Sequence, residues 1–276
     1  MSGDDQAISR APRASLSQTS SPLNLRALTS ARVALDSAGV SITTRHALEF
    51  SLAHAQARDA VHSALNVASL MAALRQRNLA VISVHSAARD RIEYLRRPDL
   101  GRSLSAASAA VLQPATNNQQ PATVLSFILA DGLSALAVER HALPLLDALL
   151  PLLRIDEPNE NWQLAPIVVA EQARVALGDE IAEAFHADAT VIFIGERPGL
   201  SSPDSLGAYI TWAPHRGRTD AERNCVSNIR SEGLDYATAG VKIAWYLNEG
   251  RRLGLTGVAL RELDIPNDAP QLTRPE

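Results

Sequence analysis

The chain has 276 residues, 46% of them hydrophobic and 20% charged, with a formal net charge of −4. That length supports a main domain with a smaller appended one, and the mild negative charge excludes a general electrostatic pull toward nucleic acid. Cys225 is the single cysteine, which excludes an internal disulfide framework or a CxxC metal knuckle and suits a reducing compartment.

Residues 1–22 are rich in Ser, Ala and Gln and have no apolar period. This is the composition of a disordered leader, with a short docking peptide as the alternative. A signal-peptide hydrophobic region is missing, and Asp4 and Asp5 argue against a transit peptide, so a cytoplasmic protein is expected, with a place inside a bacterial microcompartment left open. No apolar run approaches the length needed to span a bilayer.

From Leu25 the pattern turns helical. Leu25, Leu28, Ala31 and Leu35 recur at helical spacing, Gly39 stops the run, and Ser41 with Thr43 can cap a second, long helix. Ala47, Phe50, Leu52, Ala53, Ala60, Val61, Leu65, Val67 and Leu70 are its expected buried positions. His46, His54 and His62 recur every eight residues along it. Each step turns the helix by about 80° beyond two full turns, so the rings read as surface histidines and not as a metal site.

Val81–Val84 reads as a short strand. The following RDRIEYLRRPDLGRSLS gathers five arginines around Tyr94, Leu95 and Leu100. Pro98 breaks regular structure there, and the next helix is expected near Asp99 or Gly101. The segment is either a solvated basic loop, which composition slightly favours, or a buried turn whose guanidinium groups fork onto carboxylates or a partner. Gln113–Gln120 is a polar linker, taken as the boundary between a helical N-terminal domain over 23–115 and an α/β domain over 121–276.

Beyond it, strand and helix alternate. Strands are expected at Ala122–Ala130, Ala165–Ala170 and Thr190–Ile194, with a short one at Tyr209–Trp212. Helices are expected at Ser134–Leu150, Glu171–His186 and Leu234–Leu253, the last stopped by Gly254. The last twenty or so residues, with three prolines, read as partly extended. The fold class is α/β: a Rossmann-like, mostly parallel sheet with flanking helices, preceded by a smaller helical region.

The run Val191–Ile194 shows no alternation, so both its faces should be buried and the strand cannot be an edge. In such sheets the ligand crevice lies beyond the carboxyl ends of the strands. That places Glu196–Gly199 there, together with Asp131 and the loop around Cys225. Asp131 reads equally as a turn or helix-cap aspartate and as a ligand or partner contact. G-x-G-x-x-G, G-x-x-x-x-G-K-[ST] and G-x-S-x-G are all missing, so a dinucleotide site, a P-loop and a standalone hydrolase lack support.

Five segments, YLRRPDLGRSL, LADGLSALAVE, IGERPGL, DSLGAYITWAP and ERNCVSNIRSEGL, occur in fixed order between Tyr94 and Leu234. The set closely resembles the small (light) subunit of ethanolamine ammonia-lyase, and a weaker likeness extends from about Arg32 to near Leu253. The resemblance implies adenosylcobalamin as cofactor and a large catalytic subunit as obligate partner, in a hetero-oligomer of six large and six small chains. It also implies radical deamination of ethanolamine to acetaldehyde and ammonia, with the substrate pocket mainly on the large subunit. The cofactor contacts carry over to Val175, which follows Arg174, to Glu196 of the GERPGL motif and to Cys225 of the CVSNI motif. From the residues alone, Glu196 could instead pair with Arg197, Val175 could be a core residue and Cys225 an inert buried thiol. A D-x-H-x-x-G signature, used by another class of cobalamin proteins, is not found. The remaining alternative is a non-catalytic binding or assembly module that has kept the fold.

Overall fold

Successive side chains of a strand point to opposite faces, so a run that is apolar throughout needs cover on both. Three such runs build the centre of this protein. The computed structural model describes residues 29, 31–33, 35–38, 40–112, 123–153, 155 and 162–261. The leader 1–22, Leu25, Leu28, Gly39, the 113–120 linker and the three C-terminal prolines lie outside these residues.

By its contacts the chain divides into two units, residues 1–47 and 48–276. In the first, β1 (Ser37–Ala38) pairs antiparallel with β2 (Ser41–Ile42). Asp36 accepts from Arg45 at 2.8 Å and lies 3.4 Å from His46 Nε2. His46 is therefore not a surface residue as expected; it is 4% exposed. Ala31 and Leu35 lie outside any helix.

The long helix expected from Ala47 to Leu70 is two helices, α1 (Thr44–His62) and α2 (Val67–Gln76). The break is local: the Asn66 side chain accepts from Ser69 N and caps α2. Ala53, Ala60, Leu65 and Leu70 are buried as expected, whereas Phe50 and Leu52 are exposed.

In the second unit, β3 (Val81–His85) is followed by α3 (Arg91–Arg96), capped by Asp90. A 3-10 turn at Leu100–Arg102 and α4 (Ala106–Leu112) come next. Pro98 does fall just beyond the end of a helix. Then come β4 (Thr123–Ala130), α5 (Ala135–Leu149) capped by Ser134, β5 (Trp162–Leu164) and β6 (Ile167–Glu171). The chain closes with α6 (Leu177–Ala184), β7 (Ala189–Gly195), β8 (Leu206–Trp212), β9 (Asn224–Ile229) and α7 (Tyr236–Leu253). Gly254 caps α7 in the left-handed region, at φ 69°. No helix among the described residues is long and apolar enough to cross a membrane.

The seven-stranded sheet has the order β3-β6-β4-β7-β8-β9, with β5 also paired to β4. β3, β4, β5, β6 and β7 are parallel, and β8 and β9 extend the sheet antiparallel. Leu125, Phe127 and Leu129 of β4 pack in one core with α2, α5 and α7. Val124, Ile128 and Ala130 pack on the opposite face with α4 and α6. β7 is buried along its whole length between β4 and β8. The architecture is thus the mixed α/β, mostly parallel sheet with flanking helices that the sequence implies.

Three differences bear on the site. The short strand expected at Val81–Val84 is β3, which runs to His85 and joins β6 as the sheet's edge, so part of the region expected to be mainly helical belongs to the sheet. The helix expected over Glu171–His186 is only α6, because Gln172 takes a positive φ of 53° and the chain up to Ala176 forms a loop. Cys225 sits on strand β9, not on a loop; the alternate burial of Asn224 and Val226 against exposed Cys225 shows the two-residue period of an edge strand.

Candidate functional site

The carboxyl ends of β4 and β7 meet through their backbones. Leu133 N donates to Gly195 O at 2.9 Å, and a Cβ on Gly195 would come within 2.0 Å of Ser134 O. Gly132, at φ 54°, makes the matching turn. Only residues without a side chain permit this approach, so the glycines of the DGLS and IGERPG segments fix the floor of the crevice.

Asp131 stands on that floor but does not open into it. It is 2% exposed, accepts from Gln172 N at 2.9 Å and Ala173 N at 3.0 Å, and pairs with Arg91 at 3.3 Å. Burial pushes its carboxyl above the ordinary range, against the pull of these donors. Arg91 also donates to Val61 O and Gly132 O. Asp131 is thus the structural anchor of the loop carrying Arg174 and Val175, and the ligand-contact alternative falls away. The arginine-rich segment divides in the same way: Arg91 forks into this buried network, while Arg89 and Arg97 sit outside on Glu93 and Asp99.

Glu196, at the end of β7, is half-buried. Its Oε2 accepts from the Ser205 hydroxyl and from Asn228 N, and it makes no ion pair with Arg197. Gly207 on β8 leaves room for the carboxylate to lie across that strand. Beside it, Tyr209 of β8 faces Cys225 of β9 in register. Desolvation pushes the Cys225 thiol up to about 11, opposed by the Tyr209 hydroxyl and helped by the negative charge of Glu196. Desolvation raises the Tyr209 phenol as well, with Cys225 and the negative charge of Glu196 adding to it. The cysteine is exposed, so it is not a buried core thiol.

Val175 precedes α6 and is partly buried. Together with Leu133, Ile194, Arg174, Tyr209 and Glu196 it lines a cavity of about 360 Å³. Two of the three expected contacts, Val175 and Glu196, therefore share one cavity, and Cys225 adjoins it through Tyr209. A second cavity of about 660 Å³ shares Arg174 and Val175 and is walled by the loop joining β8 to β9. That loop is fixed from below. Arg223, 6% exposed, forks onto Asp179 of α6 at 2.7 and 2.6 Å and donates to Thr211 Oγ1 at 3.0 Å.

The sequence reading did not find Ser205, Asn228, Tyr209 or the Arg223–Asp179 pair as parts of the site. Ser205, Tyr209, Arg223 and Asn228 lie within the quoted DSLGAYITWAP and ERNCVSNIRSEGL segments, which was the available signal. Chemically, the crevice offers a carboxylate acceptor, a guanidinium and apolar surface, with thiol and phenol both protonated at neutral pH. This is a surface suited to binding and orienting a ligand.

Comparison with known proteins gives one answer. The family model described as "Ethanolamine ammonia-lyase light chain (EutC)" matches residues 20–261. The ethanolamine ammonia-lyase small subunit of Xanthomonas campestris pv. campestris (strain B100) is 54% identical over 243 residues, covering 88% of each chain. That of Azotobacter vinelandii is 54% identical over 238 residues, covering 86% of this chain and 87% of the relative. That of Pseudomonas paraeruginosa is 49% identical over 255 residues, covering 90% and 91%. A match over most of the chain, at about half identity, has one meaning: the chain belongs to the ethanolamine ammonia-lyase light-chain family.

Proposed function

We propose that this chain is the cobalamin-binding small subunit of an adenosylcobalamin-dependent ethanolamine ammonia-lyase, acting with a large catalytic subunit. The observation that carries the reading is the convergence of Val175 and Glu196 on one cavity at the strand ends, with Cys225 beside them. Among the described residues Glu196 keeps one carboxylate oxygen without a hydrogen bond and so can accept from amide or hydroxyl groups of a large polar ligand. Val175, Leu133 and Ile194 offer it apolar contact.

These residues suit a corrin cofactor, and the dimensions suit a shared site. A cavity of about 360 Å³ lies at the small end of ligand pockets. A corrin would be covered by this chain on one side only, and the other side falls to a partner. When bound, the cofactor supplies the radical that removes a substrate hydrogen on the way to acetaldehyde and ammonia. The residues of this chain hold and orient it: Glu196 fixes a polar edge, and Ser205 fixes Glu196. The protonated Cys225 and Tyr209 present neutral polar groups. We further propose the assembly of six large and six small chains and a cytoplasmic location, with packaging in a microcompartment open.

The test is co-expression with the cognate large subunit, purification, and assay of acetaldehyde from ethanolamine with and without adenosylcobalamin. Activity that needs both chains and the cofactor supports the proposal. A stable complex that binds no cobalamin would make the chain an assembly module.

A further inference from the structure

The larger cavity carries an uncompensated positive charge. It is bounded by the 3-10 turn ending at Arg102, by Arg174 and by the loop containing Arg216 and Arg218. Two of these cations are neutralised: Arg216 lies 3.3 Å from Glu180, and Arg218 pairs with Glu222. Asp179, the other carboxylate at this end of α6, is taken by the buried Arg223, and Asp220, which also lines the cavity, is exposed and lies 3.7 Å from the same Arg223. Arg174 and Arg102 remain without a carboxylate partner among the described residues.

Arg174 is also held in place. Its backbone N–H donates to Gly101 O at 2.7 Å, which brings the two arginines together across the turn. Its guanidinium lies 4.4 Å from the ring centroid of Tyr94, a fully buried residue whose hydroxyl donates to Ala173 O. Its Nε is buried and makes no hydrogen bond among the described residues. A buried N–H left without an acceptor is costly, so the guanidinium is placed by its stacking on Tyr94 and not by hydrogen bonds at this atom. Stacking pre-orients the guanidinium fork, and a fork of this kind matches a phosphate.

We infer that Arg174 and Arg102 form a phosphate-binding subsite in the cavity next to Val175. The inference deepens the reading of the crevice as a cofactor site and rests on it for the location of the ligand, not for the anion chemistry. The phosphate group can come from a phosphodiester of the bound cofactor or from a separate phosphate species, and the experiment below separates the two.

Arg174→Gln, Arg174→Lys and Arg102→Gln are prepared in the complex with the large subunit, with Arg252→Gln as a charge control on the exposed end of α7. Binding of adenosylcobalamin, of adenosylcobinamide, which lacks the phosphodiester, and of inorganic phosphate is titrated for each. If the phosphate belongs to the cofactor, Arg174→Gln weakens adenosylcobalamin at least tenfold and Arg102→Gln severalfold. Adenosylcobinamide is then unchanged, and Arg174→Lys restores only part of the loss. If it is a separate species, inorganic phosphate binds the wild type and Arg252→Gln but not Arg174→Gln, while cobalamin affinity is unaffected. A complex that binds phosphate but no cobalamin would sink the cofactor reading and keep the subsite. Equal titration of all variants with every probe would overturn the subsite. So would a loss confined to assembly with the large subunit, which would make the arginines an intersubunit contact.

Discussion

Asp131 and Glu196 end adjacent parallel strands, β4 and β7, and each follows an apolar run into a glycine-containing turn. Their surroundings differ. Asp131 is enclosed, with two backbone N–H donors and Arg91 directed at it. Glu196 is half open, held on one oxygen by Ser205 and Asn228. The difference teaches that a strand's carboxyl end marks where a ligand can bind, but satisfaction of the side chain decides whether it does. A saturated carboxylate holds the loop; an unsaturated one is left to meet a ligand.

That contrast breaks most sharply at Asp131. Asp131→Ala strands a partly buried Arg91 and two backbone N–H groups, and should cost about 3–5 kcal/mol in chemical denaturation. Glu196→Ala should change stability by less than about 1 kcal/mol; a comparable loss at both positions would abolish the distinction.

The shared floor comes next. Gly195→Ala would drive a methyl group into the Ser134 and Asp131 carbonyls. It should cost about 1–3 kcal/mol and weaken ligand binding as well, because the two strand ends must separate. Thermal melts of this variant with normal stability would mean that the close approach relaxes without effect.

On the ligand side the order reverses. Under the proposed function, Glu196→Ala should weaken adenosylcobalamin binding to the complex with the large subunit by about 1–3 kcal/mol, whereas Ser205→Ala, which only frees the carboxylate, should cost about 1 kcal/mol. Equilibrium titration with adenosylcobalamin measures both. Unchanged affinity in Glu196→Ala would remove that residue from the site.

The smallest effect is a matter of pH. Only the thiolate is nucleophilic, and Cys225 is raised from an ordinary value of 9.0 to about 11. Alkylation by iodoacetamide should therefore be slow at pH 8 in the folded protein and rise through about pH 11. The unfolded chain should reach its plateau about two units lower. Folding keeps the proton on between those values, so this group's contribution favours the folded state below pH 9 and fades as pH climbs toward 11. The single cysteine makes the rate unambiguous. Equal pH profiles in the two states would place the thiol in free solvent.

Much of the fold could be read from local pattern. The runs that became β4, β6 and β7 were visible because strands buried on both faces must be apolar throughout. The caps at Ser134 and Gly254 followed from backbone hydrogen bonding and the left-handed region. Other elements were hidden for equally physical reasons. β9 alternates buried and exposed residues only from Asn224 to Ser227, too short a run to mark an edge strand. The α1–α2 break depends on one asparagine, and the start of α6 is displaced because Asp131 captures the backbone N–H groups of Gln172 and Ala173.

The site shows the same division. The sequence by itself determined that a crevice is expected beyond the carboxyl ends of the apolar strands and which family its motifs belong to, since each depends on neighbours along the chain. Only the tertiary structure decided that Asp131 is structural and Glu196 available, that Cys225 takes an exposed position on an edge strand, and that Arg174 has no carboxylate partner among the described residues. Those outcomes depend on partners remote in sequence, such as Arg223 and Asp179, 44 residues apart, or Asp131 and Arg91, 40 apart. Whether a charge is neutralised is a property of the pair, and strand order brings the pairs together.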